Sequence, residues 1–303
     1  MALPNIVTPE FETKLPSNNQ TIKFRPFLVK EEKVLLMAGE GKDQKEILAT
    51  VVNILQNCII TSGVNVLTLP LFDIEWLFLQ LRAKSVGEVI DLRMRHVQDP
   101  ECKGETDIQV NVEDIQVTRH KDHNTVINID SNIGITMKYP SLAEVGNNLE
   151  NVTAEQTFEI IEKCVKNVFD NNKVYNDFTP NELKEFIGKL DQKQFKKIIE
   201  FFNTFPKLEH KVKYKCAKCG EEVEYTLTGL MDFFFISMSH DTLKNYYTTN
   251  FALMQHHKYS LEELENMIRF ERDIYISLLA EHIEKENEKV RQQNAKSQMR
   301  KHG

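Results

Sequence analysis

Leu69-Pro70-Leu71-Phe72-Asp73-Ile74-Glu75-Trp76-Leu77-Phe78-Leu79-Gln80-Leu81, followed shortly by Ser85-Val86-Gly87-Glu88-Val89-Ile90-Asp91-Leu92-Arg93-Met94-Arg95, decides how the chain is organised. The first part is strongly apolar, carries the only tryptophan and reads as a helix at the centre of a core. After Ser85 the period drops to two, with Ile90, Leu92 and Met94 alternating against Asp91, Arg93 and Arg95 as in a half-buried strand. Both periods recur elsewhere in the chain, so the expected fold is α+β: helix-rich, with a small and mostly antiparallel sheet.

Upstream of this stretch, Ile47, Val51, Ile54, Leu55 and Cys58 fall at helical spacing behind Asp43, which has Glu46 three residues on in the manner of a capping box. The opening, residues 1–27, is punctuated by Pro4, Pro9, Pro16 and Pro26 and reads as an extended arm lying on a neighbour, either the chain's own core or another subunit. Residues 28–145 form the expected α+β unit, two helices and then the sheet. Its later strands are read at Ile108-Val110-Val112, Val126 to Ile129 and Ile133 to Tyr139.

Residues 146–208 read as a helical insertion or bundle. Phe158, Ile161, Val165 and Val168 make one stripe, Thr179-Pro180 opens a second helix, and Phe195, Ile198, Ile199, Phe202 and Phe205 line a third. Residues 209–228 read as a hairpin around Cys216 and Cys219, and residues 229–303 as a second helical region. Within that region Ser260 starts a helix with Glu263 completing a capping box and Tyr259 and Leu264 at the staple positions. The same helix is expected to continue through Met267, Ile274 and Leu278 before turning almost wholly polar from Glu281.

A chain of 303 residues with 41% hydrophobic content can bury a proper core. No run approaches the roughly 20 apolar residues of a membrane helix, and the start lacks the pattern of a signal peptide. The expectation is a chain that stays inside the cell that makes it. The net charge of −7 makes nucleic acid an unfavoured partner, because neutralising phosphates needs a basic face. Five scattered cysteines fit reduced thiols, with Cys58 and Cys164 as small core residues.

Cys216-Ala217-Lys218-Cys219-Gly220 has the spacing of a zinc knuckle, since two thiolates two residues apart reach one tetrahedral ion while a glycine closes the turn beneath. A structural zinc site needs four ligands, and no second close cysteine pair exists. However, Glu101-Cys102-Lys103-Gly104-Glu105 and the alternating residues after it resemble Lys218 to Leu227. Each follows a strand, so the two could be paired knuckles of a zinc ribbon split by an insertion, with His96 as fourth ligand beside Cys102, Cys216 and Cys219. The other reading is a metal-free hairpin. His120, His123, His256 and His257 read as structural or exposed, and no phosphate loop, nucleophile elbow or metalloprotease helix is present. No catalytic residue is expected. Phe233-Phe234-Phe235 could anchor a partner or fill a core, and Ile274 and Leu278 extend the apolar stripe of the terminal helix.

Phe24-Arg25-Pro26-Phe27-Leu28-Val29-Lys30-Glu31-Glu32-Lys33, the segment from Leu69 to Leu79 quoted above, and Arg82-Ala83-Lys84-Ser85-Val86-Gly87-Glu88 resemble the T4-type phage baseplate protein family, as several ordered segments over roughly the first two hundred residues. Phe270-Glu271-Arg272-Asp273-Ile274-Tyr275 and the charged helix after it resemble, more loosely, the ends of phage tail and baseplate assembly proteins. The resemblance implies a hub subunit or hub assembly factor of a contractile tail. It would act on other hub and tail proteins, in the host cytoplasm during assembly or retained in the virion, with homo-oligomers among the forms open to it. It implies no catalytic residues. The competing class is a zinc-ribbon adaptor binding nucleic acid or a polymerase-like machine, favoured only if Lys211, Lys213, Lys215 and Lys218 form a basic face.

Overall fold

A computed structural model describes residues 9–99, 101–145 and 154–301. The chain is α+β. It begins with a hairpin, β1 (Phe11–Lys14) against β2 (Thr21–Phe24), closed through Asn19 in the left-handed region. Where the proline spacing suggests an extended arm, residues 11–24 thus pair with each other and pack onto the chain's own core: Leu15, Ile22, Phe24 and Phe27 are buried. Period two over a few residues is enough for a strand once a helix lies beneath it to receive one face.

Three helices follow, α1 (Val29–Gly41), α2 (Gln44–Cys58) and α3 (Leu71–Ser85). Asp43 caps α2 by accepting from the backbone N–H of Lys45 and Glu46, and α2 buries Ile47, Val51, Ile54, Leu55 and Cys58. Helix α3 is apolar around most of its circumference because it separates two cores. Ile74, Leu77, Phe78 and Leu81 meet the β1–β2 hairpin, α1 and α2 in the first core, while Leu79 and Ala83 meet the strands in the second.

Those strands are β3 (Val89–Arg95), β4 (Glu105–Asn111) and β5 (Gln116–Thr118). Strands β3 and β4 pair antiparallel, with Leu92 opposite Ile108. An inserted unit then carries its own core and four-stranded antiparallel sheet, made of β6 (Val126–Asn128), β7 (Ile133–Met137), β8 (Val165–Asp170) and β9 (Val174–Tyr175), in that order. Around it lie α4 (Leu142–Val145), α5 (Ala154–Cys164), α6 (Pro180–Gly188) and α7 (Gln192–Asn203). The helical stripe read through Val165 and Val168 is therefore corrected. Helix α5 stops at Cys164, and Val165 and Val168 lie on β8 opposite Met137 and Ile135. Two β-branched residues gain more from a pleated partner than from a further helical turn.

After the insertion the chain rejoins β5: β10 (Lys207–Lys215) pairs with it and with β11 (Glu222–Thr228), giving the order β11-β10-β5. The last helices are α8 (Gly229–Ser237), α9 (Leu243–His257), α10 (Leu261–Asn266) and α11 (Arg269–Lys301), of which α8 and α9 put Leu230, Phe234 and Tyr246 into the first core. On α8, Phe234 stacks on Phe78 with ring centroids 6.0 Å apart, while Phe233 and Ile236 enter the second core.

The Ser260 capping box forms as read, but the helix it opens ends after six residues. Met267 and Ile268 leave helical geometry to bridge Leu28 and Val29, and α11 begins afresh at Arg269. A buried ionic knot fixes that junction. Arg269 Nη1 donates to Glu32 Oε1 at 2.7 Å and Asp241 Oδ2 at 2.6 Å, and its Nε donates to Asp273 at 3.0 Å.

Candidate metal centre

The turn joining β3 to β4 and the turn joining β10 to β11 meet at one end of the second core, and each contributes two donors to the same point. His96 follows β3 directly, Cys102 lies in the first turn, and Cys216 and Cys219 form the second. His96, Cys102 and Cys216 are buried and Cys219 is exposed, and the four ligand atoms lie within 4.8 Å of one another. Cys102 Sγ is 3.6 Å from Cys216 Sγ, and Cys219 Sγ is 3.3 Å from His96 Nδ1. All four thus converge as the split-ribbon reading requires, and they could hold a metal ion.

Local backbone chemistry explains the convergence. The N–H of Gly220 bonds the carbonyl of Cys216 at 2.9 Å, and Cys216 N–H bonds Glu221 O at 2.8 Å, closing a tight turn that needs Gly220 at φ +77°. Backbone N–H groups of Cys219 and Lys218 face the Cys216 sulfur and bring its thiol down to about 6, so it is a thiolate at neutral pH. Burial, followed by the sulfurs of Cys219 and Cys216, pushes Cys102 the other way, to about 11.

Two further distances bear on fit. A Cβ on Gly104 would stand 2.6 Å from Cys216 Sγ and 3.1 Å from Cys102 Sγ, so glycine is the residue that lets both sulfurs approach. The other nitrogen of His96, Nε2, lies 3.8 Å from Glu221 Oε2, beyond direct hydrogen-bond reach. The two turns are also laced directly: Ala217 N–H donates to Thr106 Oγ1 at 3.0 Å, and Lys218 Nζ donates to the carbonyl of Cys102.

Over residues 8–235 the chain matches the model of the family described as T4 bacteriophage base plate protein. The chain belongs to that family. No curated protein and no solved structure matches it. The family match takes in the whole metal centre, so the centre lies inside the baseplate-protein region and not in an appendage to it.

The other residues singled out from the sequence fall differently. Phe233 and Phe234 are fully buried and unavailable to a partner, because α8 lies between two cores and needs apolar side chains on two faces. Phe235 is 42% exposed, and Ile274 and Leu278 on α11 are 54% and 56% exposed. Lys211 and Lys213 do not make a clear basic face, since Glu224 sits between them at 3.5 and 3.1 Å. His123 is half-buried and structural: it bonds Thr204 Oγ1 and the Tyr139 hydroxyl and stacks on Phe201. Among the described residues, no helix is long and apolar enough to cross a membrane.

Sequence reading missed the polar residues of α3. Asp73, Glu75, Arg82 and Ser85 are all buried. The signal was their presence inside the most apolar run of the chain.

Proposed function

We propose that this baseplate protein is a structural or assembly component of the baseplate hub of a contractile-tailed phage, that it works by binding other proteins without catalysis, and that its Cys3His centre holds one structural zinc ion. The observation that carries the first part is the family match over residues 8–235. Exposed apolar side chains outside that region supply a surface for binding: Tyr247 and Phe251 on α9, and Ile274, Tyr275 and Leu278 on α11. A patch of this kind, flanked by a highly charged helix, suits a partner interface. The chain would assemble in the host cytoplasm and remain with the virion baseplate.

Zinc is favoured by donor chemistry and by spacing. Three thiolates and an imidazole are soft-to-borderline ligands that suit it. With Zn–S near 2.3 Å and Zn–N near 2.0–2.1 Å, a tetrahedral site has edges of about 3.8 Å between sulfurs and about 3.5 Å between sulfur and nitrogen. Two of the six separations, Cys102 to Cys216 at 3.6 Å and Cys219 to His96 at 3.3 Å, lie close to those edges, and all six fall within 4.8 Å. In the alternative reading the same knuckle pair makes an adaptor for nucleic acid or a polymerase-like machine; the Glu224 interruption of the lysine row weighs against the nucleic-acid form.

The hub assignment is tested by co-expressing the full chain, or a chain ending at Ala280, with candidate hub proteins and following co-elution. The full chain is expected to co-elute and the truncated chain to remain folded but bind more weakly. A full chain that elutes alone would remove the hub role, and equal binding by the truncated chain would remove the part of α11 beyond Ala280 from the interface.

A further inference from the structure

The stretch that carries the family resemblance also buries four polar side chains on α3, and three of them are satisfied within the protein. Asp73 accepts from the backbone N–H and hydroxyl of Ser17. Arg82 donates to the carbonyls of Gly87, Val89 and Ser237. Ser85 donates to Leu81 O and accepts from Phe27 N–H. Glu75 differs. It is 4% exposed, and the backbone N–H of Leu230 at the start of α8 is the one group that favours its charged form. No cationic side chain pairs with it among the described residues.

Glu75 lines a cavity of about 310 Å³ at the junction of the first core and the inserted unit. The walls are mostly proline, aromatic and leucine, including Pro70, Phe72, Tyr139 and Phe205, and Lys207 is the one cationic residue among those that line it. The volume lies at the lower end of the roughly 300–1,000 Å³ typical of ligand pockets. An apolar lining with one carboxyl that no cation pairs complements a long apolar stem with one positive charge at its tip; the carboxyl, kept neutral by burial, gives its proton up to solvent as that charge arrives. Among side chains that description fits lysine, a compact ammonium on a flexible four-carbon stem, better than the wide planar fork of arginine. The chain's net charge of −7 works in the same direction by favouring basic partners.

We propose that this cavity is a docking pocket for a single lysine side chain of a baseplate partner, with the stem between the aromatic walls and the ammonium on the Glu75 carboxylate. The pocket rests on the reading that the chain works by binding proteins, and it names the chemistry of one contact. Two parts of the protein form it, α3 with the start of α8 on one side and Tyr139 to Pro140 with Phe202 to Lys207 on the other. A lysine seated there would therefore bear on both the first core and the insertion.

The probe is n-butylammonium, which reproduces the stem and charge of lysine, added to the full-length protein and followed by NMR shifts of the methyl groups of Leu71, Leu142 and Leu208. Saturable shifts at these methyls are expected. They should weaken at least tenfold in Glu75→Gln, while 1-pentanol and butyrate bind at least tenfold more weakly than the ammonium. Glu75→Gln is isosteric and removes a desolvated acid, so its melting temperature should be unchanged or higher, which separates loss of binding from loss of fold. The proposal is overturned if butylammonium gives no saturable shift, if it binds wild type and Glu75→Gln alike, or if 1-pentanol binds as well. No hub protein is needed for this readout, so it stands or falls separately from the hub assignment.

Discussion

Replacing Cys216 by serine, or stripping the protein with a strong chelator, should destabilise it by an amount that follows from where the centre sits in the chain. The ion would cross-link Cys102 to Cys216, 114 residues apart in sequence. Treated as a cross-link that restricts the unfolded chain, closing a loop of that length contributes about 5 kcal/mol at 25 °C. A domain of roughly 150–250 residues shifts its melting temperature by about 2–4 °C per kcal/mol. Loss of the centre should therefore lower the transition by about 10–20 °C. Elemental analysis of purified protein should find about one zinc per chain, and differential scanning calorimetry with and without chelator should show the shift. Cys102→Ser and His96→Ala should behave like Cys216→Ser, since the donors act as a set. Cys58→Ser alters a buried thiol that is not one of the four donors, so it should keep its zinc. Folded protein free of zinc, or zinc retained in full by Cys102→Ser and His96→Ala, would refute the reasoning.

The two phenylalanines at the middle of α8 should separate cleanly in urea denaturation. Phe234→Ala removes a ring stacked inside the first core and should cost about 3–5 kcal/mol, whereas Phe235→Ala, at an exposed ring, should cost under about 1 kcal/mol. Glu75 should give the protein a pH dependence opposite to ordinary acid denaturation. Burial raises its carboxyl to about 8 from an ordinary value of 4.5, so the folded state holds a proton that the unfolded state releases. Its contribution is therefore fully present below about 4.5 and is lost as pH rises through 8. Wild type should lose stability relative to Glu75→Gln between pH 5 and pH 8 in paired urea titrations, and parallel curves for the two proteins would count against a protonated Glu75.

Much of this fold was legible because local chemistry and tertiary packing agree. The period change after Ser85, the Asp43, Thr179 and Ser260 caps and the hairpin around Cys216 all appear where spacing and capping place them. The convergence of His96, Cys102, Cys216 and Cys219 was legible for the same reason, since a knuckle is a local motif and two similar knuckles imply a common partner. What spacing misread depends on distant neighbours. Val165 and Val168 suit either period, and only the presence of β7 decides for strand. The hairpin at residues 11–24 needs α3 beneath it, where Trp76 Nε1 donates to Thr13 Oγ1 at 3.2 Å. The fates of Phe233 and Phe235 differ by two positions on one helix and depend on which side of α8 faces a core. Glu75 was not singled out because an acid in an apolar run, like Asp73 two residues before it, has no sequence signature apart from looking out of place.

The insertion accounts for the split of the metal site. The inserted unit leaves from Thr118 and returns at Lys207, and those two residues are cross-strand partners. A unit whose ends lie side by side can be accommodated between two strands without disturbing their pairing. It separates Cys102 from Cys216 in sequence while leaving β4 and β10 neighbours in space. The cost of that separation is entropic: a long excursion must be closed before the two knuckles can meet. A metal that binds only when they meet offsets this cost at the point where it arises, because binding free energy then becomes folding free energy. If the four side chains hold the proposed ion, the insertion and the metal are linked, and a chain lacking the excursion would gain less from the same four donors.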